Sequence, residues 1–153
     1  MKMSPQDKKL ELMLRSSVLV AGGFMGSDAR SVREVIEADA ATLQKSGVNA
    51  AMLAKRMREL TALAEQGLGT SVDADGGTLR VMCDDYKGLL VCPWGHPGRF
   101  HKRVTTAERI DLGKTLMWTD LNIHLIEAHG FFEGRGSAFR IEPDEAVRFL
   151  FEK

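Results

Sequence analysis

Cysteine and histidine side chains are concentrated in two short segments of this 153-residue chain. Residues 91–101 (VCPWGHPGRFH) hold one of the two cysteines and two of the four histidines, and residues 121–132 (LNIHLIEAHGFF) hold the other two histidines. The first segment contains a C-x3-H spacing and the second an H-x4-H spacing, and zinc prefers thiolate and imidazole ligands in a tetrahedral set of four. The sequence therefore predicts a zinc site formed by residues 92–96 and 124–129, with the ligands Cys92, His96, His124 and His129.

The stretch from Cys92 to His96 resembles a zinc knuckle of the C-P-x-C-G kind, in which proline and glycine bend the backbone so that two ligands meet one ion. His96 takes the place of the second cysteine and lies one residue further along. The resemblance implies metal ligation by these short segments and identifies no family for the whole chain. On an ideal helix, residues five apart point about 140° away from each other, so His124 and His129 reach one ion only if the last turn loosens.

Two other interpretations compete with the metal site. The first, which we rank above it, is a structured turn packed on the core, because a cysteine is most often a small buried hydrophobe. The other, which we rank below it, is a small hydrolase-like enzyme in which Cys92 is the nucleophile and a histidine is the base. His124 and Glu127 are three residues apart on one helical face and form an acid/base pair in that interpretation.

Further candidate ligand-binding residues surround these segments. Arginine guanidinium groups suit carboxylates and phosphates, so an arginine-lined anion pocket is part of the enzyme hypothesis. Trp94 lies in a Pro/Gly turn and is expected to be partly exposed, where it can anchor a ligand or partner. The full set of predicted ligand-binding residues is Trp94, Arg99, His101, Glu127, Arg135 and Arg140.

The first half of the chain is expected to be helical. Apolar residues recur every three or four positions in segments 5–20, 29–45 and 50–66, which is the pattern of amphipathic helices. A glycine-containing break at 22–28 separates the first two, and Ser27 or Asp28 is a candidate N-cap. Residues 70–78 are polar and glycine-containing, which predicts a connector.

The second half is expected to contain two β-hairpins and two helices. Strands are predicted at 78–83 and 88–92 around the loop DDYKG, and at 101–110 and 115–118 around DLGK. Helices are predicted at 120–129, ended by Gly130, and after Pro143. The fold class is therefore α+β, with a helical N-terminal half packed on a small antiparallel sheet and C-terminal helices. We expect a single domain, 1–153, in which residues 1–69 are helical and residues 70–153 are α+β.

Composition limits the function classes. Lys plus Arg and Asp plus Glu each number 21, so nucleic acid is not an expected partner. The alternative is a helix-turn-helix module built from helices 29–45 and 50–66, whose basic residues are Lys55, Arg56 and Arg58. Apolar residues 53, 57, 60 and 64 are spaced like a short heptad seam, which suggests a homodimer.

No segment has the length of a membrane helix or the pattern of a secretory signal. Two cysteines are too few for a disulfide framework, which favours a soluble cytoplasmic protein with reduced thiols. A bridge between Cys83 and Cys92 stays open as the alternative. The sequence leaves the partner undefined, as a small molecule or a protein.

Overall fold

A computed structural model describes residues 3–17, 20 and 22–152. These residues form a four-stranded antiparallel sheet and five α-helices, which confirms the α+β class. The elements, in chain order, are α1 (Pro5–Arg15), α2 (Val32–Ser46), α3 (Ala50–Glu65), β1 (Val72–Ala74), β2 (Leu79–Leu90), β3 (Phe100–Arg109), β4 (Lys114–Thr119), α4 (Asp120–His129) and α5 (Pro143–Phe151).

Side-chain caps set the helix boundaries. The predicted first helix ends at Arg15 rather than at residue 20, and residues 18 and 19 lie outside the described residues. The cap of α2 is Ser31, which forms a capping box with Glu34, so the prediction of a start near residue 29 was wrong. Asn49 caps α3 as predicted, with its side chain accepting a hydrogen bond from the backbone N–H of Met52.

The sheet is a meander in the order β1-β2-β3-β4. The second predicted hairpin is confirmed, since β3 and β4 pair around the turn that contains Gly113. The first was wrong, because residues 79–90 form one long strand. An irregularity between Asp85 and Leu89 interrupts its pairing with β3, and the predicted turn residue Gly88 lies inside it. β1 was not predicted.

One face of the sheet packs against α3, α4 and α5 to form the main core. The apolar stripe of α3 at 53, 57, 60 and 64 is buried inside this core, so the seam that suggested a homodimer is not available to a second chain. At the centre lies Trp118, whose indole N–H donates a hydrogen bond to the Thr61 hydroxyl over 2.9 Å.

A second, smaller core joins α1, α2 and α4 to the end of β2. Its fully buried members include Leu14, Phe24, Val35, Leu125 and Phe131, and Cys92 packs among them. Cys83 belongs to the main core instead. Both cysteines are free, so the alternative of a Cys83–Cys92 bridge was wrong. Within the described residues, no helix is both long enough and apolar enough to cross a bilayer.

Candidate metal centre

Helix α4 positions two histidines at one end of the second core. Thr119 caps the helix, and Asn122 completes a capping box with it. The helix continues to His129, where Gly130 adopts the left-handed conformation and donates its N–H to the carbonyl of Ile126 over 2.9 Å. The last turn is therefore intact. The expectation that it must loosen was wrong, because the His124 and His129 rings meet at the helix end with their centroids 5.5 Å apart.

The turn after β2 supplies the other two side chains. The N–H of Gly95 donates to the Cys92 carbonyl over 3.0 Å, and the φ of Gly95 is 84°, a left-handed value that favours glycine. After this tight turn, the centroid of the His96 ring lies 4.5 Å from the centroid of the His129 ring. Cys92 is only 3% exposed, whereas His96 is exposed.

The four side chains form one cluster. Each of Cys92, His96, His124 and His129 offers a ligand atom, and these atoms all lie within 4.8 Å of one another. The Cys92 Sγ lies 3.4 Å from the His129 Nε2. A tetrahedral zinc site has sulfur and nitrogen about 3.5 Å apart and two nitrogens about 3.4 Å apart, from its usual bond lengths. The cluster could therefore hold a metal ion after movements of roughly an ångström.

The surroundings keep two of these histidines neutral. Burial lowers the pKa of His129 to about 4, with the nearby His96 and His124 contributing. Burial also lowers the pKa of His124, again with a contribution from His96. Neutral imidazole is the form that binds metals. The Nε2 atom of His124 is buried and has no hydrogen-bond partner among the described residues. Buried polar atoms normally have a partner, and a metal ion coordinated by Nε2 would supply one.

Aromatic rings enclose the cluster on its apolar side. Half-buried Trp94 stacks on His129 at 4.0 Å between centroids with an interplanar angle of 9°, and it contacts Phe131 edge-on. Phe100 lies 4.7 Å from the His124 ring. These rings pack against two of the imidazoles and form an apolar surface beside the cluster, of the kind that surrounds metal sites.

Three of the predicted ligand-binding residues have other placements. Arg99 and His101 are exposed, and no side-chain hydrogen bond or ion pair ties either to the described part of the chain. Glu127 is held by Arg58 of α3 through two hydrogen bonds, of 2.9 and 2.6 Å. The predicted His124–Glu127 pair is therefore replaced by an ion pair that ties α3 to α4.

The predicted anion pocket has no free guanidinium at Arg140. Its side chain is bound by the Asp39 carboxylate at 2.6 and 2.9 Å and by Glu142 at 3.2 and 3.1 Å. These contacts join α2 to the segment before α5. The Arg135 side chain is exposed, while its backbone N–H donates to the buried Asp28. Both residues therefore have structural contacts that residue types alone did not predict.

Two of the three basic residues of α3 are matched by acids, and the third, Lys55, is exposed. Arg56 forms ion pairs with Asp75 at 2.6 Å and Glu59 at 3.7 Å, and Arg58 is occupied by Glu127. The opposite face of α3 is buried on the sheet. Among the described residues, the ion pairs leave Lys55 as the one basic side chain of α3 that is not paired with an acid, which does not favour a recognition helix.

Sequence reasoning missed Glu133. This side chain is only 5% exposed and accepts hydrogen bonds from the Asn122 amide, at 2.5 Å, and from the Ser137 hydroxyl. Burial raises the pKa of its carboxyl group. The sequence offers one indication that this acid is buried, since it directly follows two phenylalanines and therefore lies next to residues that are usually in the core.

No family model, curated protein or solved structure matches this chain.

Proposed function

We propose that this protein is a zinc-binding module in which the ion ties the turn after β2 to the end of α4. The observation that carries the proposal is the convergence of one cysteine sulfur and three imidazole nitrogens within 4.8 Å. Those ligands come from segments separated by more than twenty residues of chain, including the whole β3–β4 hairpin. An ion bound by both segments would cross-link the second core to the sheet.

The chemistry of the donors favours zinc. A single soft thiolate with three borderline imidazoles is a ligand set that zinc accepts in tetrahedral geometry, whereas magnesium and calcium require oxygen ligands. Four protein ligands would fill the tetrahedron and leave no position for a substrate. The site therefore fits a structural or regulatory role. In this proposal the ion stabilises the conformation of the surface through which the module binds its partner.

A cysteine–histidine catalytic pair is the second candidate function, and the 3.4 Å distance from Cys92 Sγ to His129 Nε2 is the observation that favours it. A nucleophilic thiolate needs access to substrate and a partner that takes its proton. Cys92 is only 3% exposed, and the pKa of His129 is lowered to about 4, which makes its imidazolium a poor counter-ion at neutral pH. Both features rank this candidate below the metal centre.

Metal analysis of purified, untagged protein tests the proposal, and the chain supplies matched controls. His96 and His101 are both exposed, so the His96→Ala and His101→Ala variants should both fold. We expect about one zinc per chain in the unaltered protein and in His101→Ala, and a reduced affinity in His96→Ala because one of four ligands is lost. Zinc content near zero in the unaltered protein, after exposure to zinc and gel filtration, would rule out the module as proposed.

The cellular setting is part of the proposal. Two free cysteines support a reducing, cytoplasmic location, where thiolates remain available to metals. A homodimer, if one forms, would use a face other than the buried stripe of α3. A mass of 16.9 kDa by light scattering would identify a monomer.

A further inference from the structure

A cavity of about 530 Å³ lies between the sheet, the start of α4, residues 20, 23 and 24, and the segment after α4. Its volume is in the range of small-molecule sites. Most of its wall is apolar, and the side chains that form this wall include Phe24, Leu90, Val104, Leu121 and Phe139. No residue of the candidate metal centre lines it.

Glu133 is the one acid among the described residues that line this mostly apolar cavity. Both hydrogen bonds to its carboxylate come from neutral groups, the Asn122 amide and the Ser137 hydroxyl. No lysine or arginine forms an ion pair with it within the described part of the chain. The nearby Arg140 donates a hydrogen bond to the backbone carbonyl of Glu133 and forms its ion pairs with Asp39 and Glu142, so its charge acts on the Glu133 carboxylate only through space.

An isolated carboxylate in an apolar site is costly unless a positive charge approaches it. The other two buried acids among the described residues, Asp28 and Asp39, have such partners, in Arg30 at 2.7 Å and in Arg140 at 2.6 Å. Glu133 also has a backbone φ of 68°, in the left-handed region that a glutamate rarely adopts. The fold thus holds this carboxyl group in place at some cost, and functional sites are where such strain is concentrated.

We propose that this cavity binds a small apolar molecule that carries one cationic amine, with the amine at the Glu133 carboxylate and the apolar body against the aromatic and aliphatic wall. The charge of the ligand would supply the counter-ion that Glu133 lacks inside the protein. Each carboxylate oxygen accepts one hydrogen bond from the protein, so each retains a lone pair for an ammonium N–H.

Two cations of the protein also line the cavity, and neither provides that counter-ion. Arg103 is held by Asp120 at 2.7 Å and by Glu65 at 3.0 Å. Lys102 is exposed, so water screens its charge. Repulsion of a cationic ligand at the exposed side of the cavity is therefore weak compared with its attraction to a buried carboxylate.

Calorimetric titration of the zinc-loaded, 153-residue chain with three probes tests the inference. The probes are phenethylamine, 2-phenylethanol and 3-phenylpropionate, which share an apolar body and differ in the charge of the head group. We expect phenethylamine to bind at least about tenfold more tightly than the other two, since a hydrogen bond to a charged group is worth that factor or more. Glu133→Gln keeps the shape, its amide oxygen can still accept from Asn122, and its NH2 group can donate to the Ser137 hydroxyl, which reverses direction; we expect this variant to lose that preference.

Two further variants locate the binding. Glu108→Gln removes the same charge from an exposed position on β3, and it should bind phenethylamine like the unaltered protein. Ala138→Trp adds bulk at an exposed residue that lines the cavity, and it should weaken binding of the amine. Equal affinity for the three probes, tighter binding of 3-phenylpropionate, or phenethylamine binding that survives in Glu133→Gln or Ala138→Trp would overturn the inference. The same titration without zinc separates this result from failure of the metal proposal.

Discussion

Removal of the metal should lower the melting temperature of the protein by a measurable amount. The proposed ligand atoms already lie within 4.8 Å of one another, so we expect an ion to bind without unfolding or moving a helix or strand. In the metal-free state the buried Nε2 of His124 lacks a partner among the described residues, a deficit that costs about 1–3 kcal/mol on general grounds. Free zinc at a thousand times its dissociation constant stabilises the folded state by about 4 kcal/mol. For a chain of this size that corresponds to roughly 8–16 °C.

The assay is thermal unfolding followed by circular dichroism, with either zinc or a chelator present. The matched variants are Cys92→Ser and Cys83→Ser, because both cysteines are buried and free but only Cys92 belongs to the cluster. Each substitution is expected to lower the melting temperature itself, so the quantity compared is the shift that zinc produces. We expect that shift in the unaltered protein and in Cys83→Ser, and a much smaller one in Cys92→Ser. The same shift in both variants, or none in the unaltered protein, would refute the reasoning.

Three more predictions follow from the contacts. Arg140→Met should lower the free energy of unfolding in urea by about 3–5 kcal/mol, because it leaves the buried Asp39 carboxylate without a cation. A decrease below about 1 kcal/mol would contradict this role. The pKa of His129 is lowered to about 4 in the folded state, so the unfolded state binds the proton more readily between pH 6.5 and 4. The free energy of unfolding of the metal-free protein should therefore be highest above about pH 6.5 and fall by roughly 1–2 kcal/mol as the pH is lowered to about 4. Urea midpoints that do not change over this pH range would disprove this prediction. Zinc should change the fluorescence of Trp94, which stacks on His129, and a Trp118→Phe variant isolates that signal; unchanged emission on saturation with zinc would show that the stacked pair does not sense the ion.

The spacing of the cysteine and histidines predicted which side chains lie close together, but it did not predict the helix conformation that brings them together. C-x3-H and H-x4-H spacings identified the four side chains that the structure brings within 4.8 Å. The objection from helix geometry failed, because long imidazole side chains at the last turn of α4 reach around the helix end without any distortion of its hydrogen bonds. Local patterns likewise predicted the caps Asn49 and Gly130 and the β3–β4 turn.

Long-range pairing accounts for most of what the sequence could not predict. Glu127 was assigned to His124 by its local spacing, but Arg58, distant in sequence, binds it instead. Arg140 was assigned to a ligand, but Asp39 of α2 neutralises it. Local propensity also suggested a turn around Gly88, where pairing with β3 keeps the chain extended on both sides of an irregularity. In each case the actual partner is distant in sequence and is supplied by the tertiary fold, so local spacing could not identify it.

Cobalt(II) titration of the metal-free protein tests the central claim most directly. Cobalt reports both the geometry and the donor atoms of a site that zinc would occupy, since a tetrahedral ion absorbs in the visible region and a thiolate ligand adds a charge-transfer band. We expect both signals to saturate at one equivalent, to be displaced by zinc, and to lose the charge-transfer band in Cys92→Ser but not in Cys83→Ser. Absorbance that fails to saturate, or a spectrum without the thiolate band in the unaltered protein, would contradict a Cys92, His96, His124 and His129 metal centre.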